Sequence, residues 1–408
     1  MSSGQRTLTS DITSAAGHRP ASVPVMGAAK HKVLTVIGTR PEAIKLAPVL
    51  TELGRRADFF VSVVCSTGQH RELLDQALRT FDISADYNLG VMAANQSLSQ
   101  VTSRIIDGLD SVVKRDSPDV ILVQGDTTTA FCAALVAYYH QVRVGHVEAG
   151  LRTRMKYAPF PEEMNRCLIG QLADLHFAPT TGARDALLRE GISPSSIYVT
   201  GNTAVDALYW IRDRVRTETP SLPPGLSEFV DGKLLVLVTG HRRESFGPGF
   251  EAICGAIHDV ADAFPGAAFV YPVHLNPNVR EPVNRVLGGH PRIRLIEPLS
   301  YAPFVWLLDK ASVVLTDSGG VQEEAPCLGK PVLVMREHTE RPEGVAAGNA
   351  RLVGANRLTI VSALTELLSQ PDRREAMSQV NNPYGDGKAA CRIADILIEA
   401  LGRTKEVR

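Results

Sequence analysis

Val33-Leu34-Thr35-Val36-Ile37-Gly38-Thr39-Arg40-Pro41-Glu42-Ala43-Ile44-Lys45 reads as a short buried strand, a tight turn and the opening of a helix. The five residues before Gly38 are apolar or β-branched on both faces, as in a parallel strand covered by helices on either side. Gly38 permits the turn, and Pro41 suits a first helical turn, where its missing N–H leaves nothing unsatisfied. The same unit recurs along the chain. Apolar runs lie at 33–37, 60–65, 120–123, 142–147, 176–178 and 197–199, then at 234–238, 268–271, 293–296, 313–315, 332–334 and 350–353, each followed by a turn and a helical stretch. Two alternating βα series predict an α/β chain of two doubly wound domains. The expected division is 32–203 for the first and 204–385 for the second. The Pro-rich stretch 220–224 separates a connecting helix from the second series, and 386–408 is a terminal segment. Ligands of such sheets bind beyond the carboxyl ends of the strands, so two facing domains predict an interdomain cleft.

Composition narrows the function classes. Of 408 residues, 43 are Lys or Arg and 44 Asp or Glu, leaving a net charge of -1 that offers no electrostatic reason to expect nucleic acid or an acidic membrane surface as partner. The longest apolar run, around Phe131 to Tyr139, is far shorter than the roughly 20 residues that span a bilayer. The six cysteines lie more than 30 residues apart, so no close-spaced metal or redox pair can be written from them, and they read as small core residues of a reducing, cytoplasmic compartment. Residues 1–31 are rich in Ser, Thr, Ala, Gly and Pro without a period, and are expected to be a disordered extension.

The strand ends hold the candidate chemistry. Arg40 and Lys45 place two cations near the free amides of a helix start, a corner suited to an anion. Asp126 in Gly125-Asp126-Thr127-Thr128-Thr129 and Glu148 in Glu148-Ala149-Gly150-Leu151-Arg152 leave neighbouring strands at the same end, and Glu162 opens a further helix four residues before Arg166. Each has a structural reading as well: a helix N-terminal acid for Asp126 and Glu162, a salt bridge to Arg152 for Glu148. Gathered in one cleft, three carboxylates would raise one another's pKa and suit proton transfer. In the second series, His241 follows Thr239-Gly240 as a candidate proton donor or phosphate ligand, or simply a partner for a loop carbonyl. Thr316-Asp317-Ser318-Gly319-Gly320 followed by a helix offers amides for a phosphate, Glu324 a partner for ribose hydroxyls, and Arg341 a further cation. The chain lacks a Gly-x-x-x-x-Gly-Lys-Ser/Thr loop, His-Glu-x-x-His and Gly-x-Ser-x-Gly. Its nearest dinucleotide fingerprint, at 247–252, lies too far from the preceding strand.

Segments 38–45, 125–129, 146–153, 161–166, 239–246, 271–284 and 316–341, with Asn382-Pro383-Tyr384-Gly385-Asp386-Gly387 near the end, resemble the non-hydrolysing bacterial UDP-N-acetylglucosamine 2-epimerases in the family's own order, over about residues 32–400. The resemblance implies the GT-B architecture, with two Rossmann-like halves, an active site between them and a last helix that crosses back onto the first half. It implies Arg40, Lys45, Asp126, Glu148, Glu162 and His241 as the active-site set, with Arg166 nearby. Phe304, Ser318, Gly319, Gly320, Glu324 and Arg341 match the UDP-binding set, and Leu299 stands where some members have Gln. Gln69 and His70 match a motif that holds an activating second substrate molecule in some members, whereas Glu72 and Asn95 stand where some of those carry Gln and Arg. The implied partners are a UDP-N-acetylhexosamine and a second copy of the chain. The implied chemistry, elimination of UDP and re-addition, needs no metal or redox cofactor. Hydrolytic release of the free sugar, epimerisation of a modified UDP-sugar, glycosyl transfer and non-catalytic UDP-sugar sensing are the alternative readings.

Overall fold

The computed structural model describes residues 30–402 apart from 69–70, 94–95, 243–245, 340 and 381. Thirteen strands among them form two wholly parallel sheets. The first contains β1 (His31–Ile37), β2 (Phe60–Ser66), β3 (Tyr87–Asn88), β4 (Val120–Gln124), β5 (Arg143–Val147), β6 (Leu175–Ala178) and β7 (Ile197–Val199), in the order β3-β2-β1-β4-β5-β6-β7. The second contains β8 (Leu234–Thr239), β9 (Ala267–Pro272), β10 (Ile293–Ile296), β11 (Val313–Thr316), β12 (Val332–Val334) and β13 (Ala350–Leu352), in the order β10-β9-β8-β11-β12-β13. Every apolar run of the sequence is a strand. The two-residue edge strand β3 was not expected; it is too short and too polar to leave a period in the sequence.

In both sheets the order reverses beside the first strand, between β1 and β4 and between β8 and β11. Loops leaving neighbouring strands at such a point run to opposite faces and open a crevice, the usual seat of a ligand. All five residues of β4 are buried, consistent with helices on both faces. Helix Thr128–Tyr139, apolar around most of its circumference, packs between helices Leu98–Asp116 and Glu162–Leu172. Close packing at the crevice needs Gly38: a Cβ there would lie 2.2 Å from Thr129 Oγ1.

Helix Thr203–Thr217 leads from the first sheet to the second. The chain's last described helix, Ala389–Gly402, returns to the first: Ala390, Ile393, Ala394 and Leu397 share a core with Val33, Ile37, Leu46, Val120 and Phe177. Asp206 of the connecting helix accepts from the amides of Ala389 and Ala390 (3.2 and 2.9 Å), capping the returning helix. Arg392 donates to the Thr200 carbonyl at 2.9 Å. Among the described residues no helix is long and apolar enough to cross a membrane.

Candidate active site

Glu42 organises the first-domain crevice from below. Its carboxylate is buried beneath the turn after β1, accepting from the amides of Gly38 (3.1 Å) and Thr39 (2.6 Å) and from the Thr127 hydroxyl (2.7 Å). It thereby ties the loop that carries Arg40 to the loop that carries Asp126. Burial dominates over these bonds and raises its pKa to about 7.

Above this base the two carboxylates from the ends of β4 and β5 each meet a cation. Asp126 pairs with Arg166, and Glu148 accepts from Lys45 (2.5 Å) and from the Gln124 amide. Glu148 has φ +62°, a left-handed conformation that a non-glycine residue adopts at a cost and that turns its side chain back over β4. Burial raises the Asp126 pKa; Arg166 and Lys45 pull it down and the Glu148 charge pushes it up, with a net rise. Asn165 donates to the Asp126 carbonyl (2.9 Å), and buried His146 bridges to the Gly125 carbonyl (2.7 Å), its pKa driven to about 3 by burial. Both hold the Gly125-Asp126 turn.

Glu162 opens the helix that carries Asn165 and Arg166, and one oxygen of its carboxylate is buried with no hydrogen-bond partner among the described residues. The neighbouring Glu163 is the structural one: it accepts from the amides of Thr153 (3.0 Å) and Arg154 (2.8 Å). One alternative is set aside here. Arg152 does not pair with Glu148; it forms a two-pronged bridge to Glu190 at 2.8 Å, because the left-handed turn at Glu148 points that carboxylate toward Lys45 instead. Arg166, expected to bind substrate, pairs with Asp126.

The second domain supplies the other wall. Ser318 precedes helix Gly319–Cys327, whose first amides have no acceptor within the helix. The Ser318 amide itself is not free, since it donates to Thr316 Oγ1 (2.9 Å), so the amides at the helix start without an intrahelical acceptor are those of Gly319 and beyond. Arg341 packs against Gly319, where a Cβ would lie 3.3 Å from its guanidinium carbon, and donates to Glu323 (2.8 Å). Glu324 accepts from the Tyr301 hydroxyl (2.9 Å), and Phe304 packs against the same apolar cluster as Tyr301. The Glu324 pKa is raised to about 7, first by burial and also by Glu323, while Lys45 and Arg40 lower it. His241 leaves the end of β8 with 42% of its side chain exposed.

The two walls are within each other's field. Burial lowers the Lys45 pKa, but Glu148 from its own half and Glu323 from the other raise it further than burial takes it down. Asn202, at the start of the connecting helix, donates to Glu323 (2.9 Å). Thus Lys45 and Arg40 of the first half lie within the field of Glu324 of the second, and Lys45 within that of Glu323 and Arg341 as well. Gln69 and His70 lie outside the described residues. Glu42, Gln124, Asn165, Asp317 and Glu323 bond to residues of the candidate site or to the loops that carry them, and sequence reasoning passed them over; their one signal is position, at or beside a strand end or helix start next to a residue already singled out.

One further cluster has metal-ligand chemistry. His258, Asp262 and His290 bring donor atoms within 4.8 Å of one another, on the helix Pro248–Ala263 and the loop before β10. His290 Nδ1 accepts the Arg292 amide (3.2 Å), so the proton sits on Nε2 and points to Asp262 (3.1 Å), with Arg292 also on that carboxylate. On His290 the nitrogen a metal would need carries a proton, and that ring hydrogen-bonds to the carboxylate of the Asp262–Arg292 ion pair.

The sequence profile described as UDP-N-acetylglucosamine 2-epimerase matches residues 52–398. The UDP-N-acetylglucosamine 2-epimerase of Escherichia coli K12 is 54% identical over 373 residues, covering 90% of this chain and 98% of its own. The crystal structure of the Neisseria meningitidis UDP-GlcNAc 2-epimerase bound to UDP-GlcNAc superposes with a TM-score of 0.80 at 46% identity, covering 90% of this chain and all of that one. A glycosyltransferase of kitacinnamycin, 16% identical with a TM-score of 0.62 over 92% of this chain and all of its own, shares the fold alone, which is the GT-B arrangement of two Rossmann-like halves. With the cleft, the fold and the relatives in agreement, the chain belongs to the UDP-N-acetylglucosamine 2-epimerase family.

Proposed function

We propose that the protein interconverts UDP-N-acetylglucosamine and UDP-N-acetylmannosamine without hydrolysis, by eliminating UDP and adding it back. What supports this reading is a pair of cation-paired carboxylates in one half and a helix start with free amides in the other, with Lys45 of the first half in the field of Glu323 of the second. The proton on carbon 2 of the sugar is barely acidic, since no carbonyl adjoins that carbon. As the bond from carbon 1 to the diphosphate breaks, its electron pair leaves with UDP and the ring gains oxocarbenium character, which makes that proton removable. A carboxylate takes the proton, a double bond forms between carbons 1 and 2, and 2-acetamidoglucal and UDP remain in the closed cleft. Protonation of carbon 2 on the opposite face and return of UDP to carbon 1 complete the exchange.

Arg40, Arg341, His241 and the amides from Gly319 onward hold the diphosphate and match the charge that develops on it. Glu324 and Phe304 receive the nucleoside. Asp126, Glu148 and Glu162 move protons; Arg166 pairs with the first and Lys45 with the second, and these pairings aim them. Glu162, with its bare buried oxygen, is the free acceptor of the three. A homodimer belongs to the same reading on family habit, with a monomer mass in sedimentation equilibrium as the contrary result. Incubation with UDP-N-acetylglucosamine in deuterated water, followed by proton NMR, tests the proposal. Loss of the carbon 2 proton signal in an equilibrium mixture of two UDP-sugars is expected. Accumulating free N-acetylmannosamine with UDP would instead show the hydrolysing reaction, and an unexchanged carbon 2 would rule out both.

A further inference from the structure

The buried carboxylate of Asp317 has one oxygen fully employed and one bare. Oδ2 accepts from the amides of His241 (2.7 Å) and Arg242 (2.8 Å), folding the loop after β8 onto the end of β11. Oδ1 is equally inaccessible to solvent, has no hydrogen-bond partner among the described residues, and stands 3.6 Å from His241 Nδ1. A buried carboxylate oxygen without a donor is costly, and a loop clasp alone would need only the first oxygen. His241 Nδ1, 3.6 Å away, is a donor that a small ring rotation brings within bonding range.

The ring is fixed from its other side too. His274 stacks on it at 5.4 Å between centroids and 17° between planes, with its own Nδ1 accepting the Asn276 amide (3.1 Å). The Tyr271 hydroxyl donates to the Gly240 carbonyl (2.8 Å), so the backbone before His241 is held as well. A carboxylate is an acceptor only; facing Nδ1, it demands a proton there. Nε2 is then the nitrogen left without Asp317 as its partner, on a residue just beyond β8, whose end is paired with the end of β11 that leads into helix Gly319–Cys327.

We infer that Asp317 is the positioning residue for His241: it fixes the Nδ1–H tautomer, aims Nε2 at the diphosphate and supplies the countercharge when the ring becomes an imidazolium. This rests on the reading above that the cleft takes a UDP-sugar. The arriving diphosphate draws a proton from solvent onto Nε2, and the imidazolium donates it as a hydrogen bond to the oxygen that receives the electron pair of the breaking carbon 1 bond. In the free protein, burial holds the His241 pKa below its ordinary value, Asp317 pulling it up and His274 and Arg242 pushing it down. The dianionic ligand adds to the pull of Asp317.

Asp317→Asn separates this role from the loop clasp. Its amide oxygen can still accept the two backbone N–H groups, but its NH₂ then faces Nδ1, forces the proton onto Nε2 and offers no countercharge. Long-range proton–nitrogen spectra of the histidine-labelled protein, with His241→Asn used for assignment, should show the Nδ1–H tautomer in the parent and Nε2–H in Asp317→Asn. Turnover should fall by about 10²-fold or more with KM changed only a few-fold. The alkaline limb of the kcat profile should move to lower pH. The double variant His241→Asn/Asp317→Asn should be no slower than His241→Asn alone. An Nε2–H tautomer in the parent overturns the inference without recourse to any variant, as does a double variant whose losses multiply. If instead the parent fails to exchange carbon 2 of the UDP-sugar, it is the reading of the cleft that fails, and the tautomer measurement still judges Asp317.

Discussion

At the residue scale the cleft is a set of pairings between positions far apart in sequence. Lys45 meets Glu148, Asp126 meets Arg166, and Glu42 joins Gly38 to Thr127. Asp126→Asn keeps size and shape but cannot take a proton. Exchange at carbon 2 should therefore slow by about 10²-fold or more while calorimetry finds UDP binding nearly unchanged; near-parental exchange would remove Asp126 from the proton-transfer set. Glu42 makes a prediction about pH. Because it is harder to ionise in the folded chain, with a pKa of about 7, than in the unfolded one, near 4.5, the folded state holds more protons across that window and loses stability as pH rises through it. Glu42→Gln preserves the bonds, since an amide oxygen can serve the Gly38 and Thr39 amides and the NH₂ can donate to Thr127. Relative to the parent, its thermal stability should improve between about pH 5 and about pH 8, by on the order of 3 kcal/mol. A difference that stays flat across that range would show that Glu42 does not titrate there. Glu42 drew no reading from the sequence beyond its place in a helix's first turn; its reach to Thr127, 85 residues on, leaves no local mark.

At the element scale, short apolar runs sufficed to locate nearly every strand, because a strand buried on both faces leaves an unmistakable mark in composition. Pairings between elements left none. Asp206 stands in the first turn of the connecting helix, where an acid is unremarkable, yet its carboxylate caps a helix that starts 183 residues later. Asp206→Ala should destabilise the protein by about 1–2 kcal/mol, the usual effect of losing such a cap. Limited proteolysis should also cut faster around 386–389, because the returning helix loses the bond that holds its first turn. Unchanged cleavage there would show that its apolar face alone fixes it. Local sequence proximity misled at Glu148, whose neighbour Arg152 is committed to Glu190. The backbone sign of φ at Glu148, invisible in composition, decides between these partners.

At the scale of the whole molecule, the two halves touch through Asn202, whose amide holds Glu323 and whose N–H bonds the Tyr384 carbonyl (3.3 Å). Glu323 also holds Arg341, so the cation assigned to the diphosphate is wired to the start of the connecting helix. Ligand that recruits Arg341 should therefore draw the halves together. The radius of gyration from small-angle scattering should fall when UDP is added, and an unchanged value would argue for a cleft that is already shut. The architecture and the family were settled by the sequence alone, because strand composition, turn residues and motif order are local properties that survive without coordinates. The partners of the candidate carboxylates Asp126 and Glu148, the buried Glu42 under the first turn and the bond between Asp317 and the loop of His241 were decided only by tertiary structure. Each depends on which strand ends the parallel order places side by side, and on how far burial shifts a charge once they meet.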